Sequence, residues 1–431
     1  MKLKYGLNEI PPLGHLLLFG LQWLAIIIPI ILIMGTAVTS LHPSGIAHQV
    51  VYIQRLFFVV AVALFSQVIW GHRLPIIIGP ATVFLVGMAA GGGSNPEAVY
   101  TSILLGGLVL AAVSITGLFA QIKKLFTSTV VAVILILVAL TLTPMILNLV
   151  TASTTHASSF VNLCFSLAMV FCMFIAAKYL RGLWKSTLVF WSIIAGTLAY
   201  LLLFPMSPLP TNDLSMVAIF WQGLRPSFVF DSGIFISFLI CYLALSVNDL
   251  GSIQAVDELL KPDNMPKRIT RGVAVTGLVN VLAGFLGVIG VVNFSFSPGV
   301  IISSKVASRY TLIPTSQMLL ILSFLPKTTA ILGSIPSVVI GSSMIYIMCS
   351  QIAGGLQIIH NQNYKFEYGL IIGLPIILGV IISYLPPAAL NTFPPILKPV
   401  LGNGFIVGVI TVLIMEHFVF PRKGKLLCNP E

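Results

Sequence analysis

Two of the eleven acidic residues of this 431-residue chain fall within long apolar runs. Glu9, Glu97, Asp213, Asp257, Glu258, Asp263, Glu367 and Glu431 lie in polar connections or tails, and Asp231 stands at the mouth of an apolar run. Glu416, next to His417 at the end of the last apolar run, reads as a residue that snorkels to a polar interface. Asp249 is different. It follows the apolar run Ile234 to Val247 and is embedded in Ser246-Val-Asn-Asp-Leu-Gly-Ser252. A carboxylate in apolar surroundings is expensive unless it titrates, meets a ligand or is well hydrogen-bonded. Asp249 is therefore the candidate for a proton-titrating or substrate-binding group, the other reading being that it caps a helix break or ties its helix to a neighbour.

Gln22 is the lone amide of the first apolar run and reads either as a ligand contact or as an interhelical hydrogen bond. Phe294 and Phe296 bracket a Gly/Pro-interrupted stretch, where an aromatic face suits a flat heterocycle or simple packing. Several chemistries lack their motif. Gly91-Gly-Gly-Ser-Asn-Pro96 is not followed by the Gly-Lys-Ser/Thr of a phosphate-binding loop, and the seven histidines show no His-Glu-x-x-His spacing. The five cysteines contain no Cys-x-x-Cys. The expectation is a chain with no metal site, no cofactor and no nucleophile–base pair, and so not an enzyme.

The elements that must hold these residues follow from composition. Hydrophobic residues make up 58% of the chain and charged residues 8%, where a soluble domain carries about 25% charged residues. Apolar stretches near the roughly 20 residues of a spanning helix recur from end to end. About fourteen spans are expected, among them the first over 14–35, the third over 74–90, the eighth over 231–254, and the tenth and eleventh over 297–310 and 311–326. The net charge of +11 belongs to this topology and not to a nucleic-acid partner. With the N-terminus cytoplasmic, all of the 22 Lys and Arg except Arg55, Arg225, Lys327 and Lys398 fall on the inner side. Both termini are then cytoplasmic, in a multi-pass cell-membrane protein surrounded by lipid.

Gly79-Pro80 in the third segment and Pro298-Gly299 in the tenth are separated by about half the chain. This spacing points to an internal duplication, and seven spans per half turn the second copy upside down. Interrupted segments at matching positions of inverted halves mark a transport site, because broken helices leave N–H groups that lipid does not satisfy. The fold class expected is an all-α polytopic membrane protein with a 7+7 inverted repeat and short extended stretches in segments 3 and 10.

Over nearly its whole length the chain resembles the nucleobase–ascorbate transporter family, the uracil and xanthine permeases. The resemblance is carried by Tyr5-Gly-Leu-Asn-Glu-Ile-Pro-Pro12 with Leu21-Gln22, by Ile78-Gly79-Pro80, by a polar pair before Leu250-Gly251, and by Leu401-Gly-Asn-Gly-Phe-Ile-Val-Gly408. The family signature of the tenth segment falls on Phe296-Ser297-Pro298-Gly299 and continues to Ser304-Lys305. Gly299 and Lys305 match it. Its first two positions do not, and the family's acid of the eighth segment falls on Asn248, with Asp249 one place later.

The resemblance implies a core domain from residues 1–125 and 230–330 and a gate domain from 126–229 and 331–431. It also implies coupling to protons or sodium, and a homodimer. Substrate, a nucleobase such as uracil or a xanthine-like purine, is expected against Gln22, Ala81, Thr82, Asn248, Phe294, Ser295, Phe296, Ser297 and Gly299, with Asp249 taking the coupling proton. Two rivals stand beside this reading, the first on the same architecture and the second from another class. One is an anion carrier of the sulfate or bicarbonate type; the other is an uncoupled channel or a non-transporting ligand-binding membrane protein.

Overall fold

The computed structural model describes residues 3–41, 46–90, 95–116, 127–153, 157–204, 215–221, 227–294, 297–360, 366–390, 392–394 and 397–420. The chain is predominantly helical. Its longer helices are α1 (Leu13–Leu41), α2 (Ile46–Ile69), α3 (Thr82–Ala90), α4 (Pro96–Ile115), α5 (Ser128–Thr141), α6 (Thr143–Thr151), α7 (Ser159–Tyr179) and α8 (Leu188–Leu203). They continue with α9 (Ser232–Leu260), α10 (Met265–Phe285), α11 (Ser297–Ser304), α12 (Leu312–Leu322), α13 (Pro326–Gly333), α14 (Ser337–His360), α15 (Phe366–Ser383) and α16 (Gly404–Ile414). Among the described residues, seven helices are long and apolar enough to cross a membrane, or eight if the pair 309–322 and 326–333, bent by 99°, counts as one.

One helix break has a local cause and another a tertiary one. Pro144 enters the first turn of α6, so α5 and α6 part at Leu142, while together, over Ser128–Thr151, they are long and apolar enough to be one span. The tenth segment is shorter than expected. α11 stops at Ser304, Lys305 takes a left-handed backbone (φ 58°), and the chain runs extended to Ser308. That stretch pairs with the N-terminal segment. Lys4 N donates to Lys305 O, Ala307 N to Tyr5 O, and Arg309 N to Leu7 O.

Glycines set the closest helix contacts. α4 lies against α10, and a Cβ on Gly277 would stand 2.7 Å from both Gly107 O and Ala111 N. One on Gly284 would stand 2.6 Å from Tyr100 O. Small residues let backbones meet where lipid provides no hydrophobic force between helices. α2 packs on α12, α14 on α5, and α15 on α16.

Glu416, expected to snorkel to a polar interface, is instead 2% exposed, in the widened helical turn Met415–Val419 that follows α16.

Candidate functional site

The two Gly/Pro-interrupted segments meet. β1 (Ile78–Pro80) pairs antiparallel with β2 (Val291–Asn293), in the register Ile78 with Asn293, Gly79 with Val292 and Pro80 with Val291. All six residues are buried. The extended stretches expected in the third and tenth segments are therefore present. Phe294 N donates to Ile77 O (2.9 Å) and Ala81 N to Gly290 O (2.8 Å), which bracket the pair.

Antiparallel pairing alternates bonded with non-bonded partners, so Ile78 and Pro80 on one strand, and Val291 and Asn293 on the other, direct their backbone groups outward. A two-stranded sheet has two open edges, and inside a membrane each polar group on them needs a partner. Pro80 removes one problem by having no N–H. On β2 the neighbouring helices close the edge. Asn280 of α10 accepts from Val291 N (2.6 Å) and donates to Val291 O (3.2 Å), matching the peptide with both ends of its amide.

α9 closes the edge at Asn293. Ser252 Oγ (2.8 Å) and Asn248 Nδ2 (3.3 Å) donate to Asn293 O. Asp249 Oδ1 accepts from Asn293 N (2.8 Å) and from Asn293 Nδ2 (2.9 Å). Asp249 is 0% exposed. Among the described residues its Oδ2 is enclosed with no hydrogen-bond partner; the nearby Thr276 hydroxyl donates to Gly272 O at 3.2 Å. The carboxylate thus has one oxygen held by two donors and, among the described residues, no donor on the other.

Asn293 is held in turn by His72. His72 Nδ1 accepts from Leu74 N (3.0 Å), so that nitrogen carries no proton. The neutral ring then has its proton on Nε2, which donates to Asn293 Oδ1 (3.2 Å). Burial, more than the Asn293 bond that opposes it, holds the imidazole down at about 3, with the nearby Arg268 guanidinium adding to the effect. Gln67 Oε1 accepts from His72 N, while its Nε2 donates to Gly272 O (2.7 Å). Arg268 Nη1 donates to the carbonyls of His72 (2.9 Å) and Arg73 (3.1 Å).

The expected site residues divide. Asn248, Asp249, Ala81, Thr82, Phe294 and Ser297 gather around the strand pair. Ala81 is fully buried, and Thr82 begins α3. Phe294 covers Gly79, where a Cβ would meet its ring. Ser297 is fully buried and its hydroxyl is already used, accepting from Ile77 N (3.0 Å) and donating to Phe294 O (3.0 Å). Gly299 is exposed, and a Cβ there would meet nothing within 4 Å; the same holds for Gly251 on α9, which packs against α11. Gln22 belongs to α1, which packs on β1, and its Nε2 is enclosed without a partner among the described residues. Ser295 and Phe296 lie outside the described residues.

Three residues central to this geometry escape a reading of the sequence: Asn293, Asn280 and His72. A weak signal existed. Asn280 and Asn293 are amides in apolar runs, as Gln22 is, and His72 ends the second run.

The chain is similar to permeases along most of its length. It is 27% identical over 438 residues to a Bacillus subtilis protein named as a candidate purine permease, covering 95% of this chain and 97% of that one. It is 23% identical over 370 residues to the uric acid permease PucJ of Bacillus subtilis, covering 83% and 81%. Among solved structures, the transmembrane domain of a cyanobacterium bicarbonate transporter aligns with a TM-score of 0.61 at 16% identity, over 87% of this chain and 98% of that one. That likeness shows a shared fold. The permease family model for xanthine and uracil permeases matches residues 14–388, and the chain therefore belongs to this family, the nucleobase–ascorbate transporters.

Proposed function

We propose that the protein is a secondary active transporter that carries a nucleobase, uracil or a xanthine-like purine, in symport with a proton. The observation that carries this reading is the buried antiparallel pair of β1 and β2, each strand leading into a short helix, α3 or α11, whose N-terminus starts beside the pair. Helix N-termini present free N–H groups and a positive dipole end. Purine and uric acid permeases among the relatives support a flat, hydrogen-bonding substrate. Phe294 offers the ring, Asn248 the amide, and the open space beside Gly251 and Gly299 the room.

In this reading the chain has fourteen segments in two inverted halves, with both termini cytoplasmic. Residues 1–125 and 230–330 form a core that rocks against a gate of 126–229 and 331–431, within a homodimer. The coupling proton binds Asp249, through Oδ2, which no donor occupies among the described residues. Asp249→Asn, assayed in proteoliposomes, tests that role: uptake that loses its dependence on the proton gradient is the expected result, and uptake that keeps it refutes the role.

A second reading, an anion carrier, is favoured by the fold shared with a bicarbonate transporter. Competition of uptake by bicarbonate or sulfate, with no competition by bases, would establish it in place of the first.

A further inference from the structure

The Asp249 carboxylate accepts two N–H groups from Asn293, and only one of them is fixed by the backbone. The other depends on which way the Asn293 amide points. A carboxamide turned over would set its oxygen against the carboxylate, replacing an attraction by a repulsion. His72 decides the direction. Its Nδ1 is claimed by Leu74 N–H, so only Nε2–H is left to face Asn293, and a donor there requires Asn293 Oδ1 on that side and Nδ2 on the side of Asp249.

We propose that His72 is a positioning residue for transport: from the connection between α2 and β1 it sets the orientation of the Asn293 amide and so tunes the protonation of Asp249. The proposal rests on the reading of Asp249 as the coupling group. The order runs one way, Leu74 N–H to His72 Nδ1, His72 Nε2–H to Asn293 Oδ1, and Asn293 Nδ2–H to Asp249 Oδ1. Each donor is spent on one acceptor, so a reversal at one point disturbs the next.

The groups facing this chain are few. Toward Asp249 they are Asn293 from β2 and Thr276 from α10. Toward His72 they are Gln67 from α2, Asn293, Arg268 from α10 and the adjoining Arg73. Arg268 binds the His72 carbonyl and not the ring, which leaves the ring to Asn293. His72 is fully buried, with α10 close beside it at Gly272, where an added Cβ would stand 3.0 Å from the His72 Cβ.

The test uses the full-length protein in proteoliposomes, with uptake of a radiolabelled nucleobase measured against pH. His72→Leu removes the donor to Asn293. The midpoint of the alkaline limb of uptake is expected to move up by about one pH unit, the size of one charge-assisted hydrogen bond. His72→Gln keeps a donor and an acceptor and is expected to restore the original profile. An unmoved profile in a correctly inserted His72→Leu protein would overturn the proposal, as would equal shifts in the Leu and Gln variants, which would signal packing alone.

A measurement on the unmodified protein covers the case in which His72→Leu does not fold. Nitrogen-15 spectra of histidine-labelled protein in liposomes are expected to show a neutral His72 with its proton on Nε2 between pH 5 and 8. A proton on Nδ1, or a charged ring, would overturn the proposal. These outcomes are separable from failure of the coupling reading: if Asp249→Asn keeps its gradient dependence, that reading fails whatever the His72 spectrum gives.

Discussion

Asn293 places its backbone and side-chain N–H groups on the same carboxylate oxygen of Asp249, at 2.8 and 2.9 Å. This contact locks β2 to α9 by a charged acceptor in a site without solvent exposure. Asn293→Ala keeps the first donor and loses the second, while also leaving the His72 Nε2–H without an acceptor. A loss of about 2–3 kcal/mol is expected, read as a lowered Tm in detergent; an unchanged Tm would mean that the side chain is dispensable.

Asn280 closes the same strand at Val291. Asn280→Ala abandons a buried N–H and a buried C=O together, and costs about 3 kcal/mol. Asn280→Leu, similar in size, is expected to be no better, because the loss is polar. Thermal unfolding of both variants checks this.

Gly277 and Gly299 make a contrasting pair. Gly277→Ala places a methyl 2.7 Å from two backbone atoms of α4 and is expected to cost about 2 kcal/mol by forcing the helices apart. Gly299→Ala meets nothing within 4 Å, so Tm is expected to hold while the apparent affinity for substrate falls. Equal effects of the two on Tm would contradict the packing described.

His72 also gives a pH dependence of stability. Its folded value, about 3, lies below the ordinary histidine value of 6.5. Between these pH values the unfolded chain binds the extra proton, so stability is complete above about pH 6.5 and is lost as pH falls toward 3, at up to about 1.4 kcal/mol per unit. His72→Gln is expected to flatten the slope in that window, measured by Tm against pH.

Much of this architecture was legible in the residues. Gly79-Pro80 and Pro298-Gly299 located the interrupted segments because Gly and Pro act on the backbone directly, whatever surrounds them. Asp249 was legible because charge in an apolar run is conspicuous. Its partner was not. Asn293 looks like any polar residue in Val291-Val-Asn-Phe294, and its importance comes from an edge position in a strand pairing with a segment more than 200 residues away. His72 has no metal-ligand spacing in the sequence, and its contribution, a tautomer fixed by the N–H of Leu74, depends on the folded chain. Ser297 was legible as polar but its hydroxyl serves the backbone of Ile77. The end of α11 was missed because the pairing of residues 305–309 with the N-terminal segment depends on the tertiary fold and not on local propensity.

The central claim is nucleobase transport, and its most direct test is uptake into proteoliposomes. Radiolabelled uracil, xanthine and urate are presented with and without an inward proton gradient, with bicarbonate and sulfate as competitors. Accumulation of at least one base, driven by the gradient, competed by other bases and indifferent to the anions, is the result predicted. Binding of a base without accumulation, or uptake that only the anions compete, would contradict the account.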